Sequence, residues 1–319
     1  MKKTAYFFID DVIFTMRSIA RNRPASLFDD PFMKVLKNAH DAYGMTIQLN
    51  LFYRTDFFYG SDEFTLAEMP DCYKPEFEAN AHWLKLAFHA KQEFPDYPYL
   101  NADYDDVKRD FYQIKNEVVR FAGEAVWSCA VIPHWLPISK DGCRALADCG
   151  VRFISPSHGE RKPYNATAAQ LLHEGDPAGL PYGHGFRLLQ NRKPESMLYD
   201  RGSSNQSIAN SICAWNHVST DVYESLYNRN ASVEDPETGI RFRLFGGGPT
   251  LNLTELDVLE QKIRERVAKG GDHIGIGNHE QYFYSDYFFY QPDYADKIMT
   301  MAKTLTELGY TFITAEEFE

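Results

Sequence analysis

Strand-type and helix-type periods alternate along most of this 319-residue chain, and that alternation limits the fold more than any other feature. Apolar runs with β-branched and aromatic residues predict strands over 5–9, 45–52, 84–88, 126–132 and 151–155. Between them, apolar residues at helical spacing predict helices over 31–42, 75–82, 105–122 and 140–149. Pro31 suits a first helical turn and Gly44 a helix stop. From 157 to about 252 the pattern breaks into short apolar pieces, at 186–189, 208–215 and 240–245, among Gly, Pro, Asn and Ser. It resumes as helix 253–268, strand 273–277, helix 294–308 and strand 311–314. Strands and helices in this order make βαβ units and a parallel sheet, closed or open. The expected organisation is one α/β domain over 1–319 with 157–252 inserted in it.

A formal charge of −12 argues against nucleic acid or an anionic membrane surface as partner, because both need clustered Lys and Arg. The start, Met1-Lys2-Lys3-Thr4, leads into an apolar run that Asp10 and Asp11 cut short, and no stretch is long enough to span a bilayer. These features predict a cytoplasmic protein. Five cysteines without a CxxC spacing read as reduced structural thiols.

The first strand, Tyr6-Phe7-Phe8-Ile9-Asp10-Asp11-Val12, ends on two adjacent carboxylates. Two carboxylates in one cleft repel, so a cation or shared proton normally accompanies them. The plain alternative is that one of them caps the next helix. His89 follows strand 84–88 and His279 follows strand 273–277. In parallel α/β folds ligands bind at the C-terminal ends of the strands, so these distant residues are candidates to converge. Within His89-Ala90-Lys91-Gln92-Glu93, a helical turn would put the imidazole and the carboxylate on one face. Asp11, His89 and Glu93 then suit a divalent, zinc-like ion.

These residues resemble the polysaccharide deacetylase family, the NodB-homology domain of carbohydrate esterases. Phe8-Ile9-Asp10-Asp11 is similar to that family's Thr-Phe-Asp-Asp signature. His89 matches the first histidine of His-Ser/Thr-x-x-His, with Glu93 standing where the second would be. Ile132-Pro133-His134-Trp135-Leu136-Pro137 holds the place of Arg-x-Pro-Tyr, with His134 in place of the arginine; a literal Arg161-Lys162-Pro163-Tyr164 comes one strand later. Residues 274–279 resemble the terminal Leu-x-Leu-His, with two extra residues before His279.

The resemblance covers 5–155 and 253–318 and implies a distorted (β/α)7 barrel. It implies a hydrolase that uses a divalent metal ion, zinc first, to remove an N-acetyl group from a carbohydrate or related amide. Asp10 would take a proton from water, Asp11 would hold the metal and His279 would protonate the departing amine. His134 would orient Asp10 or serve as a further ligand. Trp135, Tyr282 and Tyr284 are candidate sugar-facing rings. Phe245-Gly246-Gly247-Gly248-Pro249-Thr250 lacks the residues of a phosphate loop and reads as a turn. Two other functions suit the same residues: a glycoside hydrolase using paired carboxylates without metal, and a sugar-binding protein of weak activity.

Overall fold

The computed structural model describes residues 2–55, 63–93, 98–99, 102–157, 217–287 and 289–319. The pieces 186–189 and 208–215, Arg161–Tyr164 and Cys213 lie outside them. No helix of the described residues is long and apolar enough to cross a membrane.

The elements run β1 (Thr4–Val12), α1 (Phe14–Asn22), α2 (Pro31–Tyr43), β2 (Ile47–Phe52), α3 (Lys74–Ala79), β3 (Leu84–Ala90) and α4 (Tyr104–Phe121). They continue with β4 (Ala130–Val131), α5 (Lys140–Asp148), β5 (Phe153–Ile154), α6 (Thr220–Leu226), β6 (Val233–Glu234) and β7 (Arg241–Phe242). The chain ends with α7 (Leu256–Ala268), β8 (His273–His279), α8 (Tyr294–Glu307) and β9 (Thr311–Phe312). Local chemistry explains the clearer boundaries. The Asp30 carboxylate accepts from the backbone N–H groups of Phe32 and Met33 to cap α2, and Gly44 ends it at φ 64°.

One parallel sheet has the order β3-β2-β1-β8, with β9 against the start of β1. A second has the order β4-β5-β7-β6, in which only β6 is antiparallel. Two isolated parallel bridges join the sheets, Leu86 with Trp127 and Gly247 with Gly275. Following these pairings leads from β1 through β2, β3, β4, β5, β7 and β8 back to β1. The architecture is therefore a distorted barrel of seven parallel strands wrapped by helices. Part of the segment expected as an insertion belongs to this ring, because β7 lies within 157–252 and pairs with β5.

The two faces of β1 feed two cores. Phe7 and Ile9 belong to the larger core with the helices, whereas Tyr6 and Phe8 join Ala130, Ile132, Phe153, Phe245 and Phe318 in a smaller one. That alternation is the strand's period of two, and it places the smaller cluster inside the barrel. The Phe318 ring lies 4.8 Å from that of Tyr6 and 5.4 Å from that of Phe153, closing the barrel interior with a residue from the chain's end.

The structure departs from the sequence expectation in three places. The strand expected over 126–132 is two residues of β4 preceded by a 3-10 turn at Glu124–Val126. α7 starts at Leu256, after another 3-10 turn at Leu251–Leu253. α1 has no counterpart in the sequence reading, since Ile13 precedes it where a capping side chain would be expected.

Backbones approach closely at the Gly247–Gly275 joint. A Cβ on Gly275 would lie 1.4 Å from the Phe245 carbonyl oxygen, so the residue has room for hydrogen alone. Gly275→Ala is expected to cost more than about 3 kcal/mol, the upper range for forced overpacking, since backbone and not a rotatable side chain must yield. Urea unfolding checks this, and an unchanged midpoint would show that the strands do not meet there.

Candidate metal and active site

Asp10 and Asp11 reach one cavity because the strand period is broken between them. The β1–β2 register shifts between Ile9 and Val12, and Asp11 adopts φ 62°. A bulge of this kind re-aims a side chain, and Asp tolerates the left-handed region better than most residues. The two carboxylates, expected on opposite faces of a regular strand, therefore share the C-terminal end of the barrel. His89 at the end of β3 and His134 just after β4 meet them there.

Three atoms converge. His89 Nε2 lies 3.1 Å from Asp11 Oδ1, His134 Nδ1 lies 3.3 Å from the same oxygen, and the two nitrogens are 3.1 Å apart. Zinc bonds of about 2.0–2.1 Å in tetrahedral array put neighbouring ligand atoms about 3.3 Å apart. The triangle has the size of one face of such a tetrahedron, and the buried Asp11, His89 and His134 form a group that could hold a metal ion.

The outer contacts fix which nitrogens face inward. His89 Nδ1 is 2.6 Å from the Ile132 carbonyl oxygen, and His134 Nε2 is 3.0 Å from that of Glu93. A carbonyl only accepts, so both outer nitrogens carry hydrogens and the inner ones are presented for ligation. Gln281 Nε2 donates to Asp11 Oδ2 at 2.8 Å, leaving Oδ1 for the centre. Phe52 packs against both imidazoles, with ring centroids 5.3 Å from His89 and 5.0 Å from His134.

The titration of the group is consistent with a cation's place. Burial would raise the Asp11 carboxyl, but hydrogen bonds from His134 and His89 outweigh it and hold the group well below the usual carboxylate range. Burial pulls His89 down, yet the Asp10 and Asp11 carboxylates more than offset this and raise it. Burial lowers His134. An ion held between these three atoms would take the place of any proton shared among them.

Asp10 stands beside this group. Asn50 Nδ2 donates to its Oδ1 at 2.6 Å, Gln48 Nε2 donates to Asn50 Oδ1 at 2.7 Å, and Ser128 Oγ donates to Gln48 Oε1 at 2.5 Å. Every donor in this buried chain points toward the carboxylate, which orients and polarises it as an acceptor. Burial raises the Asp10 carboxyl, with His89 and His279 opposing. His279 is the direct partner of Asp10 in the β1–β8 register, and its Nδ1 contacts Asn252 Oδ1 at 3.0 Å.

A cavity of about 330 Å³ opens over these groups. Asp10, Asp11, His89, His134 and His279 line it, and among the described residues no Lys or Arg does. Trp135 lines it too, where it and Leu136 hold successive φ values of 63° and 76°. The Gly246–Gly248 run forms another part of the wall, with the Gly248 N–H donating to the Gly275 carbonyl at 2.7 Å. Tyr282 and Tyr284 stand behind the cavity: Tyr282 packs on Tyr287 and His279, and Tyr284 packs on Phe14 and Phe32. The Glu93 carboxylate is outside the Asp11, His89 and His134 group, to which this residue gives its backbone carbonyl.

Sequence reasoning missed Asn50, Gln281 and the cavity residues Tyr223 and Tyr227. The polar pair Gln48 and Asn50 in an otherwise apolar strand was a usable signal for the first, as was the run Asn278-His279-Glu280-Gln281 for the second.

The molecule is thus an α/β barrel whose C-terminal end carries a buried Asp-His-His group able to hold a metal ion. No protein-family model matches the chain, and no curated protein sequence matches it. Among solved structures, 4-α-glucanotransferase from Thermococcus litoralis aligns at TM-score 0.52 and 10% identity, over 99% of this chain and 40% of that one. At that identity the likeness is one of fold. A family 4 carbohydrate esterase from Streptomyces lividans aligns at TM-score 0.41 and 9% identity, over 97% of this chain and 90% of that one. A mutant of a pseudoenzyme of the same esterase family aligns at TM-score 0.41 and 10% identity, over 99% and 67%.

Proposed function

We propose that this protein is a metal-dependent hydrolase that removes an acyl group, N-acetyl in the first instance, from a carbohydrate or related amide. The observation that carries this reading is the triangle of Asp11 Oδ1, His89 Nε2 and His134 Nδ1, with both imidazoles oriented by backbone carbonyls. Asp11, His89 and His134 would hold a divalent ion, which when bound would supply carbonyl polarisation and a more acidic water. Asp10, fixed by Asn50, accepts the proton of the attacking water through the carboxylate oxygen that Asn50 leaves open. His279, on the neighbouring strand, delivers a proton to the departing nitrogen from Nε2, because Asn252 engages its Nδ1. Base and acid on paired strands suit an acyl transfer to water, in which one proton leaves and another arrives. Among the described residues the cavity wall carries carboxylates and imidazoles and no Lys or Arg, which fits an uncharged or amino-bearing substrate.

The zinc-loaded protein is expected to release acetate from N-acetylated chito-oligosaccharides and to lose that activity on chelation. Acetate and reducing ends are measured on the same samples. Reducing ends without acetate would replace this reading with glycoside hydrolysis. Neither product, with oligosaccharide still bound, would indicate a sugar-binding protein.

A further inference from the structure

Helix α1 begins two residues after Val12 ends the strand, and nothing in its own sequence caps it. Ile13 holds the capping position and offers no side-chain acceptor. The cap comes from the end of the neighbouring strand, β8. Glu280, immediately after β8 and fully buried, accepts from the backbone N–H groups of Ile13 and Phe14 through Oε2 and of Thr15 through Oε1, each at 2.7 Å. Burial pushes the Glu280 carboxyl up to about 8 against the pull of these three bonds, and three short hydrogen bonds to one side chain at a helix N-terminus form a strong local anchor whether or not the group is ionised.

The anchored residues adjoin a strained one. A non-glycine residue in the left-handed region is strained and persists when its surroundings over-determine it. Asp11 is fixed on its N-terminal side by the β1–β8 ladder, which runs to Asp10 and His279. On its C-terminal side the fixed point is the Glu280 carboxyl group. The next residue, Gln281, then takes Asp11 Oδ2.

We propose that Glu280 and Gln281 are positioning residues for Asp11: Glu280 locks the backbone turn behind it, and Gln281 rotates its carboxylate so that Oδ1 meets His89 and His134. This rests on the reading of Asp11 as a metal ligand. His279, Glu280 and Gln281 would then be three consecutive residues that serve one site in three ways, as proton donor, backbone anchor and carboxylate clamp.

Zinc affinity, measured by competition with a chelator well below the melting temperature, is the test. Glu280→Gln and Gln281→Leu are each expected to bind zinc about 10–100-fold more weakly, the usual effect of losing an outer-shell partner. Met16→Ala, which weakens the core packing of α1 without touching the cap, is the control and should keep wild-type affinity. Glu280→Asp, which keeps the carboxyl but draws it back by one methylene, replaces Glu280→Gln if that variant does not fold. Crystal structures of the metal-free variants give a second readout, with Asp11 Oδ1 displaced from the two imidazoles in the Glu280 variant. Wild-type affinity in the Glu280 and Gln281 variants overturns the proposal. So does an equal loss in Met16→Ala. Should the wild-type protein itself take up no zinc, the metal reading fails, and the position of Asp11 in the variant crystal structure decides on Glu280 alone.

Discussion

Replacing His134 by alanine is expected to weaken zinc binding by more than about 100-fold, beyond the usual range for outer-shell partners. Its Nδ1 is one of three inward atoms, and its ring orientation is set by the Glu93 carbonyl 3.0 Å away. At zinc concentrations of about 100 times the dissociation constant, the wild-type fold should gain roughly 2.7 kcal/mol from the ion. In a chain of this size, with an unfolding entropy of about 2.1 cal/mol/K per residue, that corresponds to a rise in melting temperature of about 4 °C. His134→Ala should lose this rise, whereas Glu93→Gln should retain it, since the backbone carbonyl is untouched. Melting curves with and without zinc measure both. A variant pattern in which Glu93→Gln loses the ion and His134→Ala keeps it would refute the proposed ligand set.

His279→Ala is expected to keep the ion and lose turnover by about 10²–10⁴-fold, the typical contribution of a positioned general acid. His279 lies outside the Asp-His-His group but faces the same cavity, opposite Asp10 in the strand register. The loss should be largest for substrates with poor leaving groups, which depend most on protonation. Asn252→Leu should produce a smaller loss of the same kind, because it frees the imidazole to rotate without removing it. Acetate release and melting temperature measured on the same preparations separate catalysis from stability. Full activity per folded His279→Ala molecule would remove this residue from the chemistry.

The alternation of periods made most elements legible, and strand ends made Asp10, Asp11, His89 and His279 legible, because both follow from local pattern and the geometry of parallel sheets. Ligand selection is not local. Glu93 stands at helical spacing from His89, but the chain does not form a helix there, and the third inward atom, His134 Nδ1, comes from 45 residues along the chain. The bulge that unites the two aspartates depends on pairing with β2 and on Glu280, neither visible in residues 6–12. Tyr223 and Tyr227 were hidden because α6 is a single short helix in a segment without period. α1 escaped notice for a related reason: its cap is some 265 residues away.

The two single-bridge joints between the sheets give the barrel two seams, and both run into the cavity. Asp11 and His89 belong to the β3-β2-β1-β8 sheet, whereas His134 follows β4 on the other side of the Leu86–Trp127 seam. An ion held by all three would act as a rivet through that seam, where the ladder itself supplies little. The second seam, at Gly247 and Gly275, has glycine on both edges and passes beside His279. Groups that face the cavity thus stand beside both seams. Loading the metal would close one of the two and leave the other, on the side of the proton donor, free to part.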